Sequence, residues 1–150
     1  MAERARETVE LMNMCMIRDP ENGRVLVMDK QQGYRGHTFP GGHLEPGEAV
    51  VPSVVREIQE ETGLTVEKLR FCGVKDWINE THRCLLFLFA TEHFSGTLVP
   101  DGEEGPLCWM TLEELRGADL AEGFERTLRM FLEEGLCEFY VDAEDRWEFF

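Results

Sequence analysis

Two apolar runs open the chain, "VELMNMCMIRD" (Val9 to Asp19) and "RVLVMDK" (Arg24 to Lys30), separated by "PENG". Pro20, Asn22 and Gly23 are turn residues, so the pattern predicts an antiparallel strand pair. "KLRFCGVKDWI" (Lys68 to Ile78) and "CLLFLFA" (Cys84 to Ala90) read as further strands. The second is almost wholly apolar, which predicts a central position covered on both faces. From Thr111, "TLEE" is a capping-box pattern that opens a short helix, and "AEGFERTLRMFLEE" has helical spacing at Phe124, Leu128, Phe131 and Leu132. The tail, "LCEFYVDAEDRWEFF", predicts a closing hairpin. Strands and helices interleave without regular alternation, which favours an α/β (α+β) domain with a mixed sheet between helices.

The most informative helix lies between a double glycine and Gly63. Val51, Val54, Val55, Ile58 and Thr62 fall on one arc when residues advance about 100° each, and that arc is the expected core face. Pro52 is tolerated in a first turn, and Gly63 can adopt the left-handed conformation that stops a helix. Glu57, Glu60 and Glu61 sit at i, i+3 and i+4 on another face, with Arg56 beside them. Like charges at that spacing cost a helix roughly 0.2–0.5 kcal/mol per pair. A divalent cation offsets that cost, and carboxylate and carbonyl oxygens suit Mg²⁺ or Mn²⁺. A solvated acidic face is the alternative.

Composition narrows the setting. A chain of 150 residues suits one domain (1–150), and 43% hydrophobic with 30% charged residues is a globular balance. The start, "MAERARETVE", lacks a signal-peptide core, and no apolar run approaches the roughly 20 residues that span a bilayer. A cytoplasmic protein without membrane contact is expected. Five cysteines without C-x-x-C spacing suggest buried free thiols rather than disulfides or zinc. A net charge of -15 argues against DNA or RNA polymers as partners, yet leaves room for a small anion if a metal supplies positive charge.

The flanking residues then sharpen the reading. Gly42, Glu48, Arg56, Glu57, Ile58, Glu60, Glu61, Gly63 and Leu64 satisfy all nine specified positions of G-x5-E-x7-R-E-U-x-E-E-x-G-U, where U is a bulky aliphatic residue. This resembles the Nudix box of the Nudix hydrolases, here residues 42–64, entered through "TFPGG". The resemblance implies a Nudix-type α/β/α sandwich with a mixed sheet. It also implies metal-assisted water attack on a phosphorus of a nucleoside diphosphate-linked compound. Carried over by position, Glu57, Glu60 and Glu61 would hold Mg²⁺ or Mn²⁺, with the Gly41 carbonyl as a backbone ligand. Arg56 would orient the glutamates and Glu48 would support the loop, with Gly42 and Gly63 framing it.

"NMCMI", "TFPGGHLEPGE", "GVKDW", "FSGTL" and "EEGPLCWMTLEEL" are similar to MutT-type enzymes over most of the chain. That wider likeness implies a nucleoside triphosphate diphosphatase acting on 8-oxo-dGTP or a related purine nucleotide, with monophosphate and pyrophosphate as products. The alternatives are hydrolysis of another nucleoside diphosphate compound, such as an ADP-sugar or dinucleotide, and a non-catalytic ligand-binding module. By the same likeness, Glu104 would bring a loop carboxylate to the metal or act as general base, a role for which Glu57 competes. Asn13, an amide in an apolar strand, either reads a base edge or caps a backbone group. Thr38 and Phe39, with His37, are candidate cavity walls, although Phe39 also fits a core position. His43 stands where MutT-like proteins often carry lysine. Trp77 and Phe124 either stack on a base or pack, and His82 and His93 read as ordinary polar residues. The assembly is expected to be a monomer or homodimer binding a small nucleotide.

Overall fold

A computed structural model describes residues 2–150. β1 (Val9–Ile17) and β2 (Val25–Lys30) lead into two short strands, β3 (Gly36–Thr38) and β4 (Gly41–His43), and then α1 (Val50–Thr62). Next come β5 (Leu64–Glu67), β6 (Arg70–Ile78), β7 (Arg83–Thr91), β8 (His93–Gly96), β9 (Asp101–Gly102) and β10 (Gly105–Met110). Helices α2 (Leu112–Arg116) and α3 (Phe124–Leu132) precede the closing pair β11 (Glu138–Val141) and β12 (Trp147–Phe149).

Six strands form a mixed sheet in the order β12-β11-β6-β7-β1-β4, with β1 parallel to β7 and β11 parallel to β6. As the apolar run predicts, β7 is central. Alternate residues of β1 feed opposite cores. Met14 and Met16 pack with Phe124, Leu128 and Phe131 of α3, while Cys15 and Ile17 pack with Val54 and Ile58 of α1. A helix therefore covers each face of the sheet, the layered arrangement expected from the interleaved pattern. The capping box at Thr111 and Glu114 is formed in both directions.

Several expectations change. β1 and β2 share only the turn end of a hairpin, through the bridge Arg18↔Val25 and a hydrogen bond from Asp19 N to Arg24 O at 2.8 Å. Beyond it they part into different sheets, because β1 completes its ladders with β7 and β4 while β2 pairs with β3 and β10. Within the α1 arc Val54, Ile58 and Thr62 are inaccessible, while Val55 is only half-buried at the edge of the core. Val51 in the first turn is 48% exposed, and Ser53 is buried instead because its hydroxyl binds Asn13. Cys15, Cys72 and Cys84 are buried thiols as expected, but Cys108 and Cys137 are exposed. Their strand and loop positions face away from both cores. No helix among the described residues is long and apolar enough to cross a membrane.

Candidate active site

The glycine loop and the acidic helix are locked together by close backbone approach. Gly41 and Gly42 lie on β4, antiparallel to Met14 and Asn13 of β1. A side chain at Gly41 would collide with the backbone of Asn13 and Met14, so β4 can lie this close to β1 only because that position is glycine, and one at Gly42 would displace the Glu57 carboxylate. Asn13 fastens the other side. Its Oδ1 accepts from Gly42 N at 3.2 Å and its Nδ2 donates to Ser53 Oγ at 2.9 Å, tying β1, the loop and α1 at one buried point. At the far end, Gly63 caps α1 in the left-handed conformation with φ 77°, donating to Gln59 O at 3.0 Å.

Arg56 is the hub of the acidic face. Its Nε and Nη2 hold both oxygens of Glu48 at 2.7 and 2.8 Å, and Nη2 also donates to His43 O at 3.0 Å. The remaining Nη1 donates to Glu57 at 2.9 Å and to Glu60 at 3.0 Å. A planar fork can serve two partners at once in this way, which an ammonium cannot. The Arg56 guanidinium and the Glu45 backbone amide hold the Glu48 carboxyl down at about 2.

Glu61 faces the other way, accepting from Gly41 N at 3.0 Å. Burial pushes its carboxyl up to about 8, and the negative charges of Glu104 and Glu57 add to the effect. Glu104, on the turn between β9 and β10, is thus near enough to repel Glu61. It is held by an ion pair with Lys30 and by Gln31 N donating to its carbonyl at 2.7 Å. Glu103 meets Gln32 only through its carbonyl.

The box carboxylates do not converge on a single point. Glu57 and Glu60 share Arg56, while Glu61 and Glu104 lie across the loop. Charge that burial and like neighbours leave uncompensated at Glu61, in an all-oxygen set of Glu57, Glu60, Glu61 and Glu104, fits a hard divalent cation.

Beside the acidic face opens a cavity of about 310 Å³. Asn13, Thr38, Phe39 and His43 all line it, as do Trp77 and Phe124. Thr38 and Phe39 are only 2% exposed, and Phe39 meets Phe124 and Phe131 edge to face at 5.1 Å each, so its ring is chiefly core. His43 is turned outward and binds Glu10. His37 is held by the Asp119 carbonyl and does not line the cavity. Lys30, Tyr34 and Lys75 complete the wall and were not anticipated. Two ammonium groups in a chain of net charge -15 are a signal in themselves. Lys75 stands over the Trp77 ring at 5.1 Å, and burial pushes its pKa down.

The family model describing the NUDIX domain matches residues 12–131. The chain belongs to the Nudix family. Within that family it is 34% identical over 106 residues to the uncharacterized Nudix hydrolase YvcI of Bacillus subtilis, covering 67% of this chain and 66% of that protein. It is also 34% identical over 115 residues to the NAD-capped RNA hydrolase NudC of Mycobacterium tuberculosis, which covers 73% of this chain. The matched part spans 35% of that NudC, so this Nudix chain corresponds to about a third of the longer relative. A MutT protein from Bacillus halodurans shares the fold with a TM-score of 0.77 at 24% identity, over 93% of this chain and 97% of that one.

Proposed function

We propose that this Nudix chain hydrolyses a phosphoric anhydride bond of a purine nucleoside triphosphate, 8-oxo-dGTP or a close relative, to monophosphate and pyrophosphate. The observation that carries the reading is that the Gly41–Gly42 loop, which packs on Glu57 and donates to Glu61 of the acidic helix, also lines an aromatic-walled cavity together with Glu104, Lys30 and Lys75. A cavity of about 310 Å³ suits one base and its sugar, at the lower end of small-ligand sites.

Mg²⁺ or Mn²⁺ would be held by the four glutamates and the Gly41 carbonyl, and when bound it neutralises phosphate charge and acidifies a coordinated water. Every other task falls to the chain. Arg56 keeps Glu57 and Glu60 from turning away into solvent, and Glu48 keeps Arg56 in place. Lys30 and Lys75 attract the polyphosphate. Trp77 and Tyr34 flank the base, while Asn13 acts mainly by pinning the glycine loop. Glu57 or Glu104 takes the proton of the attacking water, and the pH–rate comparison given below separates them.

Catalysis is the reading rather than passive binding because the box lacks none of its charged residues. A second reading, cleavage within a dinucleotide, is favoured by the 34% identity to NudC. Product analysis tests both. Incubation with Mg²⁺ should convert 8-oxo-dGTP to monophosphate and pyrophosphate with higher kcat/KM than dGTP. Equal efficiency for the two, or preferential conversion of NADH or ADP-ribose, overturns the triphosphate reading.

A further inference from the structure

Outside the acidic helix, a second group of ligand atoms comes together at the edge of β1. Among the described residues, Glu10, His82 and Cys84 are the one trio of His, Cys, Asp or Glu side chains whose ligand atoms all lie within 4.8 Å of one another. The fold makes this meeting. Parallel pairing of β1 with β7 sets Glu10 beside Cys84, and the turn before β7 folds His82 over both. Cys84 is 2% exposed, whereas Glu10 and His82 remain open to solvent on one side.

We propose that Glu10, His82 and Cys84 form a binding site for a zinc-class divalent cation, separate in place and chemistry from the box glutamates. Glu10 Oε2 already accepts from His82 Nε2 at 2.7 Å and from Cys84 Sγ at 3.6 Å. Two protons thus occupy the space between three ligand atoms. A tetrahedral zinc ion with bonds of about 2.0–2.3 Å separates its ligands by roughly 3.3–3.8 Å. Opening the trio to that size takes a side-chain movement of about 1 Å by Glu10 and His82, the two ligands that face solvent.

The surroundings orient the imidazole and the carboxylate, while burial and the Glu10 charge push the Cys84 thiol up to about 11, a cost that the metal–sulfur bond has to offset. Thr81 Oγ1 lies 3.2 Å from Asn79 Oδ1 and 2.7 Å from His82 Nδ1. With its proton on Asn79, the hydroxyl accepts from Nδ1–H and directs the Nε2 lone pair into the trio, the outer-shell arrangement common to metal-bound histidines. Asn79 Nδ2 also reaches Cys84 Sγ at 3.5 Å, a contact that steadies a thiolate. His43 Nε2 holds the other oxygen of Glu10 at 2.5 Å, so the carboxylate is aimed from both sides. Thiolate with imidazole selects zinc-class ions, whereas the box offers oxygen alone. Binding sends the Cys84 thiol proton and the His82 Nε2 proton to solvent and needs no other reactant.

The site touches the cavity through His43, which follows Gly41 and Gly42 on β4 and lines the cavity mouth.

Titration of the intact protein with Co²⁺ under saturating Mg²⁺ gives the test, because only a thiolate ligand produces a sulfur-to-cobalt charge-transfer band. One equivalent should produce that band, and one equivalent of Zn²⁺ should abolish it. Cys84→Ser should lose the band, and His82→Ala should weaken Zn²⁺ binding at least tenfold. Thr81→Val should weaken it by roughly tenfold, the usual effect of an outer-shell change. Cys108→Ser, altering an exposed thiol elsewhere, should keep the band. If Cys84→Ser fails to fold, His82→Ala and Thr81→Val carry the same decision. No band in the wild type, or unchanged Zn²⁺ affinity in His82→Ala, overturns the site. Loss of the band in Cys108→Ser would assign the thiolate elsewhere and overturn it too.

Discussion

Glu61→Gln should stabilise the metal-free protein, increasingly as pH rises from about 4.5 towards 8. An ordinary glutamate ionises near 4.5, whereas burial and the charges of Glu104 and Glu57 hold Glu61 up at about 8. Below about pH 4.5 the carboxyl is protonated in both folded and unfolded chains and contributes no difference. As pH rises from there, the unfolded chain releases the proton while the folded chain keeps it. Stability then falls by about 1.4 kcal/mol per pH unit until the folded carboxyl also ionises near 8. The ceiling on that loss is about 5 kcal/mol, and partial solvent access to the carboxyl reduces the expected figure to about 2 kcal/mol. Glutamine cannot titrate and still accepts from Gly41 N, so it escapes the loss without vacating the contact. Thermal unfolding in a chelator is the assay. Wild type and variant should melt within a degree or two at pH 5, and the variant about 4–8 °C higher at pH 8.5. Mg²⁺ should close the gap by restoring the wild type and leaving the variant unmoved. A Tm offset that is equal at both pH values, or no offset at pH 8.5, refutes the account of an uncompensated carboxylate.

Further predictions follow from the same contacts. Arg56→Lys removes the fork that holds Glu48 while reaching Glu57 and Glu60, and should lower turnover roughly 10- to 100-fold with the melting curve still cooperative. Glu104→Gln should reduce kcat more than Glu103→Gln, and the acidic limb of the pH–rate profile should move only if Glu104 is the base. Equal, wild-type-like profiles for both variants confine the site to the box. Ile58→Ala, at an inaccessible position under β1, should cost about 3–4 kcal/mol and lower Tm by roughly 10 °C, read by thermal or denaturant unfolding.

The acidic helix was legible because its information is local. Nine positions within 23 residues carry the pattern, and one helix, one loop and one glycine cap arrange them. Element types were legible for similar reasons, since the capping box at Thr111 and the buried run in β7 state their own conformations. Partners were harder to read. "PENG" turns the chain as a hairpin would, yet both flanking strands are apolar on two faces, so turn chemistry could not say that β2 leaves for β3 and β10. The cavity wall shows the same limit. Lys30, Tyr34 and Lys75 come from different strands and a loop, with no spacing between them that a linear pattern could register. Glu10, His82 and Cys84 meet through parallel pairing, which brings together residues more than 70 positions apart in the chain.

Hydrolysis of a triphosphate to monophosphate and pyrophosphate at the box is tested most directly by turnover of an 8-oxo-purine triphosphate by Glu57→Gln. Wild type with Mg²⁺ should release pyrophosphate and monophosphate in equal amounts and stop when the metal is chelated. Glu57→Gln, still folded and still presenting an amide to Arg56, should lose at least a hundredfold in kcat at saturating Mg²⁺. Near-wild-type turnover in that variant, or undiminished hydrolysis in the chelator, would contradict the account.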